Sequence, residues 1–223
     1  MAALGFTFAA PSPQRLLILG AHADDAEIGA GGFVRVLIAR RPAMRIHWVV
    51  FCAAGQRQAE AAASAQEILG TERGRTFETH AFRDGFFPYE GVRIKEEFER
   101  LKQGYEPDLV LSHHRADLHQ DHRVIAELTW NTFRSHLILE YEIPTYDGDL
   151  GSPNFFVPLS AGIIQEKVDG LMKHFASQRG KSWFSAETFE AIMRLRGMEC
   201  RSESGFAEAF YLRKAVWDTD GVP

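Results

Sequence analysis

The chain has 223 residues, of which 45% are hydrophobic and 25% charged, and a formal net charge of -5. That length suits one well-formed core better than two, and the composition is that of a folded globular protein, not of a disordered chain or a membrane span. The acidic balance supplies no basic footprint, which excludes nucleic acid as the expected main partner.

The opening residues 2–10 are apolar but lack the positive n-region of a signal peptide and the length of a spanning helix, so a cytoplasmic protein is expected. Strands are then expected over 16–20, 45–52, 76–82, 108–112 and 137–143, with helices over 26–40, 58–69, 91–103 and 122–134 between them. A weaker strand near 155–159, helices over 165–174 and 186–195, and a strand over 209–213 complete the chain. This alternation predicts an α/β fold with a Rossmann-like, mostly parallel sheet, helices on both faces, and a single domain over 1–223. Gly70 and Gly197 read as helix stops, Glu106-Pro107 as a break before a strand, and 146–154 as a turn-rich surface loop. Cys52 and Cys200 are too few for a disulfide framework and read as reduced core residues.

Two clusters of metal-ligating residue types each follow an apolar strand run. The first is Ala21-His22-Ala23-Asp24-Asp25 after Leu16-Leu17-Ile18-Leu19. The second is His113-His114-Arg115-Ala116-Asp117-Leu118-His119-Gln120-Asp121-His122 after Leu109-Val110-Leu111. In an open parallel sheet, loops at the carboxyl ends of neighbouring strands converge on one crevice. A catalytic divalent-metal site uses about three His, Asp or Glu ligands and keeps a position open. His22 and Asp25 on a tight strand-to-helix turn, with His122 from the later loop, make such a set. Asp24 is then spare, and a carboxylate beside the ligands is a natural general base. His119 shares a helical face with His122 and could donate a proton or steady an oxyanion, while Asp121 suits a role holding a histidine nitrogen.

Each cluster has a plainer reading. Asp24 and Asp25 stand where an N-cap belongs, and Gly29, Gly31 and Gly32 match no phosphate-binding fingerprint and instead let a helix lie close to the sheet. One of His113 and His114 reads as a core-edge histidine capping the strand and the other as a solvent-exposed neighbour. Arg57, at a helix start after Ala53-Ala54-Gly55, either faces the crevice to hydrogen-bond substrate oxygens or is a surface charge.

The segment Ala21-His22-Ala23-Asp24-Asp25-Ala26-Glu27-Ile28-Gly29 with Gly31-Gly32, together with His119-Gln120-Asp121-His122, resembles the two signature motifs of the PIG-L/LmbE-type zinc-dependent de-N-acetylases. The likeness extends through Arg57-Gln58-Ala59-Glu60, Ile68-Leu69-Gly70, Pro107-Asp108-Leu109-Val110 and Ser177-Gln178. It implies that His22, Asp25 and His122 bind Zn2+ or another divalent ion, that Asp24 is the general base, that His119 assists the oxyanion or leaving group, that Asp121 orients a histidine, and that Arg57 contacts substrate. Two positions depart from the family pattern: Ala23 replaces a common proline, and Asp117 stands where some members carry a tyrosine.

The resemblance implies a hydrolase that removes an N-acetyl group from an amino-sugar-containing small molecule, and it is consistent with a homo-oligomer. An amidase of the same mechanism on a non-sugar or thiol-conjugate amide, and a non-catalytic metal-binding protein, are the alternatives. Phe86, Phe87, Tyr89 and Tyr146, in loops 84–90 and 146–154, are candidate stacking walls for a sugar ring.

Overall fold

The structure is a computed structural model and describes residues 14–215; the apolar stretch 2–10 lies outside them. Seven strands form one sheet: β1 (Arg15–His22), β2 (Arg45–Cys52), β3 (Arg75–Thr79), β4 (Leu109–His113), β5 (Leu137–Tyr141), β6 (Phe155–Pro158) and β7 (Ala207–Leu212). Their spatial order is β3-β2-β1-β4-β5-β7-β6, the first five parallel and β7 antiparallel to both β5 and β6. Six helices connect them: α1 (Asp25–Arg40), α2 (Gln56–Leu69), α3 (Gly91–Gly104), α4 (Gln120–Thr132), α5 (Ala161–His174) and α6 (Ala186–Glu199). Among the described residues no helix is long and apolar enough to cross a membrane.

The central strands carry unbroken apolar runs, over 16–19, 48–51 and 109–111, because both faces are covered. Their two-residue period divides the core. Leu16, Ile18, Trp48, Val50, Leu109 and Leu111 face one cluster with Phe33, Ala65, Leu171 and Phe189 from α1, α2, α5 and α6. Leu17, Leu19, Val49, Phe51 and Val110 face the other, with Ile94, Phe98 and Ile125 from α3 and α4. The chain runs outward from β1 to β2 and β3, then returns to place β4 on the other side of β1. The carboxyl ends of β1 and β4 therefore flank the point where the order reverses, which is where such sheets bind ligands.

The predicted elements are all present, with shifts at their ends. β3 stops at Thr79 because His80 and Phe82 leave the sheet while still bonding the end of β2, with Ala53 N–H donating to His80 O at 2.8 Å and Phe82 N–H to Phe51 O at 3.1 Å. Gly70 caps α2 at φ +66° as expected. Gly197 does not stop α6, which runs on to Glu199. Its lack of a Cβ serves packing instead, since a methyl there would lie 2.2 Å from the Gly205 carbonyl oxygen. Both cysteines are free and half-buried: Cys52 packs against the second core cluster, whereas Cys200 belongs to neither.

The glycines of α1 act as expected at two positions. A Cβ on Gly29 would meet the Tyr141 ring at 2.3 Å, and one on Gly32 would meet Leu159 at 2.7 Å. Close approach lets α1 lie against β5 and the β6–α5 junction, and the buried Lys167–Glu208 pair ties it further. Glu208 accepts the N–H groups of Gly32 and Phe33 at 2.7 and 2.6 Å, and Lys167 Nζ donates to Ile28 O at 2.5 Å.

Candidate metal centre

β1 delivers His22 at its last residue, the turn delivers Asp24, α1 delivers Asp25 at its first residue, and α4 delivers His122 from its first turn. His22 Nδ1 lies 3.2 Å from His122 Nε2 and 3.5 Å from Asp25 Oδ2, and His122 Nε2 lies 3.6 Å from Asp25 Oδ1. The three predicted ligands thus converge. Asp25 also accepts the His22 backbone N–H at 2.6 Å, which fixes the turn.

The far nitrogens of the two rings are held by carboxylates. Asp117 Oδ2 is 2.7 Å from His122 Nδ1, while Asp121 Oδ2 and Asp84 Oδ1 are each 3.2 Å from His22 Nε2. In the neutral rings a carboxylate partner keeps the proton on the nitrogen that faces it, so the lone pairs of His22 Nδ1 and His122 Nε2 point toward each other and toward Asp25. Three lone-pair donors meeting without a hydrogen between them fit a divalent cation, and nitrogen with oxygen donors suits zinc among others.

Burial opposes charge on His22, yet Asp25, Asp121 and Asp84 raise its pKa well above the usual value, so the carboxylates that favour a cation here also favour a proton on Nδ1, which a bound cation would displace. Burial likewise disfavours the Asp25 anion, but His122, His113 and His22 hold its pKa well below the carboxylate range. Burial, reinforced by His113, brings His122 down to about 4, which leaves it a neutral imidazole at pH 7.

Asp24 occupies the N-cap position of α1, but its side chain makes no capping bond. It turns instead to Arg57, the second residue of α2, which donates from Nη2 to Oδ1 at 2.7 Å and from Nη1 to Oδ2 at 3.5 Å. Burial pushes the Asp24 pKa up, Arg57 opposes that, and the Asp25 anion adds to it, for a net rise. A buried carboxylate outside the ligand set, with its pKa moved toward neutrality, has the properties of a general base.

His119 is the N-cap residue of α4, and its Nδ1 accepts the Asp121 N–H at 3.3 Å. Its ring lies edge-on to His22, with centroids 4.9 Å apart, and 4.4 Å from that of His122. Asp121 is fully buried and accepts N–H bonds from Gly85 at 2.7 Å and Phe87 at 3.1 Å, which ties the loop after β3 to the site.

Three residues at this centre had no role in it expected from the sequence. Asp84 and Asp117 hold the two imidazoles, and fully buried His113 stacks on His122 at 4.1 Å with Nε2 3.2 Å from Asp25 Oδ2. His113 Nε2 also accepts the Ala21 N–H at 2.9 Å, which occupies its lone pair. Neither member of the pair is the exposed neighbour that was expected, since His113 is fully buried and His114 bonds Glu140 at 3.1 Å and stacks on Tyr211 at 3.6 Å. Phe87 cannot be a sugar-stacking wall, because it is fully buried with its ring 5.9 Å from His22, whereas Phe86, Tyr89 and Tyr146 are exposed.

No curated protein matches the chain. Solved structures do match over nearly its whole length. Conserved protein TT1542 from Thermus thermophilus shares 21% identity over 93% of this chain and 98% of its own, with a TM-score of 0.68. N,N'-diacetylchitobiose deacetylase from Pyrococcus horikoshii shares 18% over 89% and 83%, with a TM-score of 0.67. GalB, the 4-carboxy-2-hydroxymuconate hydratase from Pseudomonas putida, shares 16% over 93% and 99%, with a TM-score of 0.68. At these identities the likeness establishes the α/β fold, and the fold carries more than one chemistry. The stretch that holds every donor from His22 to His122 is more telling, since residues 17–133, over half the chain, match the GlcNAc-PI de-N-acetylase model, and the protein therefore belongs to the PIG-L family.

Proposed function

We propose that the protein is a metal-dependent amide hydrolase that removes the acetyl group from an N-acetylated amino-sugar-containing small molecule. The observation that carries this is the pairing of buried Asp24 with half-buried Arg57 beside the converging donors of His22, Asp25 and His122, within the segment that matches a de-N-acetylase family. Zinc is the proposed ion, with His22, Asp25 and His122 as its holders. When bound, such an ion polarises the amide carbonyl and makes water more acidic.

The chain's own residues supply the rest. Asp24 takes a proton from the attacking water as the new carbon–oxygen bond forms at the amide carbon. His119 steadies the oxyanion and passes a proton to the departing nitrogen as the carbon–nitrogen bond breaks, giving acetate and a free amine. Asp117 and Asp121, with Asp84, keep the two imidazoles in the tautomer and orientation the ion needs. Arg57 holds Asp24 in place and lines the approach to it, and the exposed Phe86, Tyr89 and Tyr146 offer faces on which a sugar ring can stack.

The test is to incubate zinc-loaded protein with N-acetylglucosamine glycosides, sugar nucleotides and thiol conjugates and follow the appearance of primary amine. Amine from one of these classes names the substrate. Silence across all of them, with stoichiometric metal bound, would contradict the proposal and leave non-acetyl amides or a binding role.

A further inference from the structure

Asp149 sits 31 residues after Leu118, in the loop between β5 and β6, yet its Oδ2 accepts the Leu118 backbone N–H at 2.7 Å. Leu118 directly precedes His119. Its carbonyl is also held, accepting from Arg123 Nη1 at 2.5 Å. Within the same turn, Asp117 accepts the His119 N–H at 2.8 Å and holds His122 at 2.7 Å. The bond to the Leu118 N–H comes from outside the turn.

The loop that reaches across is firmly anchored two residues further on. Buried Glu142 and Arg196 form a two-pronged pair, Nε to Oε2 at 2.9 Å and Nη2 to Oε1 at 2.8 Å. Arg196 also donates to the Gly151 carbonyl at 3.1 Å, the Gly151 N–H to Glu142 at 3.4 Å, and Tyr211 OH to Glu142 at 3.0 Å. The packing leaves no slack, since a Cβ on Gly151 would lie 2.5 Å from Tyr211 OH. A rigid connection therefore runs from α6 and β7 through Gly151 and Asp149 to the turn that carries His119.

We propose that Asp149 is a positioning residue: by fixing Leu118 it holds the His119 ring against those of His22 and His122. It touches neither the ion pocket nor the reacting atoms, and the role rests on the participation of His119 proposed above. A proton donor that must meet charge developing in the transition state loses effect when its backbone can drift, and that loss falls on kcat and not on substrate binding.

The test compares Asp149→Ala with Asp149→Asn, whose amide oxygen still accepts an N–H, each alone and combined with His119→Ala in the full-length, metal-loaded protein. Asp149→Ala is expected to lower kcat about tenfold, the size seen when a supporting partner of a site is removed. KM and metal content should stay the same, Asp149→Asn should recover most of the rate, and in the His119→Ala background Asp149→Ala should add nothing. Amide exchange at Leu118 gives a readout that needs no turnover: protection is lost in Asp149→Ala and kept in Asp149→Asn. Unchanged Leu118 protection in Asp149→Ala overturns the proposal, as does an undiminished effect without His119 or a change confined to KM or metal content. If the wild-type protein releases no acetate, the deacetylase proposal fails by itself, and the exchange measurement still decides whether Asp149 holds the turn.

Discussion

Arg57 and Asp24 meet as a two-bond pair, with Nη2 2.7 Å from Oδ1, although α2 and the β1–α1 turn place them 33 residues apart. The pair explains why an aspartate at an N-cap position does no capping. It also separates Asp24 from Asp25, its neighbour in sequence, which turns toward the imidazoles.

Replacing Asp24 by Asn keeps the shape and removes the proposed base. We expect kcat to fall by about 10²-fold to 10⁴-fold, with bound metal unchanged. Steady-state kinetics beside metal analysis of the same samples checks this, and loss of metal in step with activity would instead make Asp24 a ligand.

Asp117 and Asp121 hold the two histidines proposed to bind the ion, with Asp117 2.7 Å from His122 Nδ1 and Asp121 3.2 Å from His22 Nε2. Asp117→Ala and Asp121→Ala should each weaken metal affinity about 10-fold to 100-fold, measured by competition with a chromophoric chelator. Affinity equal to wild type in both variants would remove the carboxylates from any role in shaping the pocket.

Gly29 is a packing position. Gly29→Ala drives a methyl into the Tyr141 ring, whose hydroxyl is buried and donates to Leu19 O at 2.6 Å. A loss of about 1–3 kcal/mol in urea unfolding is expected. Gly162→Ala is the control, because nothing lies within 4 Å of its added Cβ, and it should be neutral or slightly stabilising.

Glu78 gives the fold a pH-dependent element away from the metal centre. Its bond from His80, helped by Arg100 and His47 against partial burial, lowers its pKa to about 2. A carboxylate with a depressed folded pKa contributes stability above its unfolded value of 4.5 that is lost as pH falls toward about 2. Glu78→Gln should therefore cost about 1–2 kcal/mol at pH 7 after allowance for solvent screening, with the gap to wild type closing between pH 4.5 and 2. Denaturant midpoints across that range report it, and a gap independent of pH would assign the effect to packing.

The fold was legible because the central strands are buried on both faces and the helices between them keep a clear apolar period. The ends were less so. His80 and Phe82 look like strand but bond the end of β2 as a loop, and Gly197 looks like a stop but is a packing contact. At the metal centre, His22, Asp25 and His122 could be picked out because each lies in a dense run of ligating residue types beside a strand end. Asp84 has no such company, since it stands in a turn whose approach to His22 depends on Asp121 holding Gly85 and Phe87. Asp117 lay within the second cluster, yet nothing in the spacing says that its carboxylate faces His122 Nδ1. Phe87 and the exposed member expected of the His113-His114 pair were misplaced for the same reason, because the packing of a loop residue is set by elements far away in sequence.

The most direct measurement is acetate release from an N-acetylglucosamine-containing substrate by three samples: zinc-loaded protein, the same protein after chelation, and zinc-loaded Asp24→Asn. Release by the first alone, restored to the second by added zinc, is the predicted result. Equal release by the chelated protein or by Asp24→Asn would contradict a metal-dependent hydrolysis in which Asp24 takes the proton.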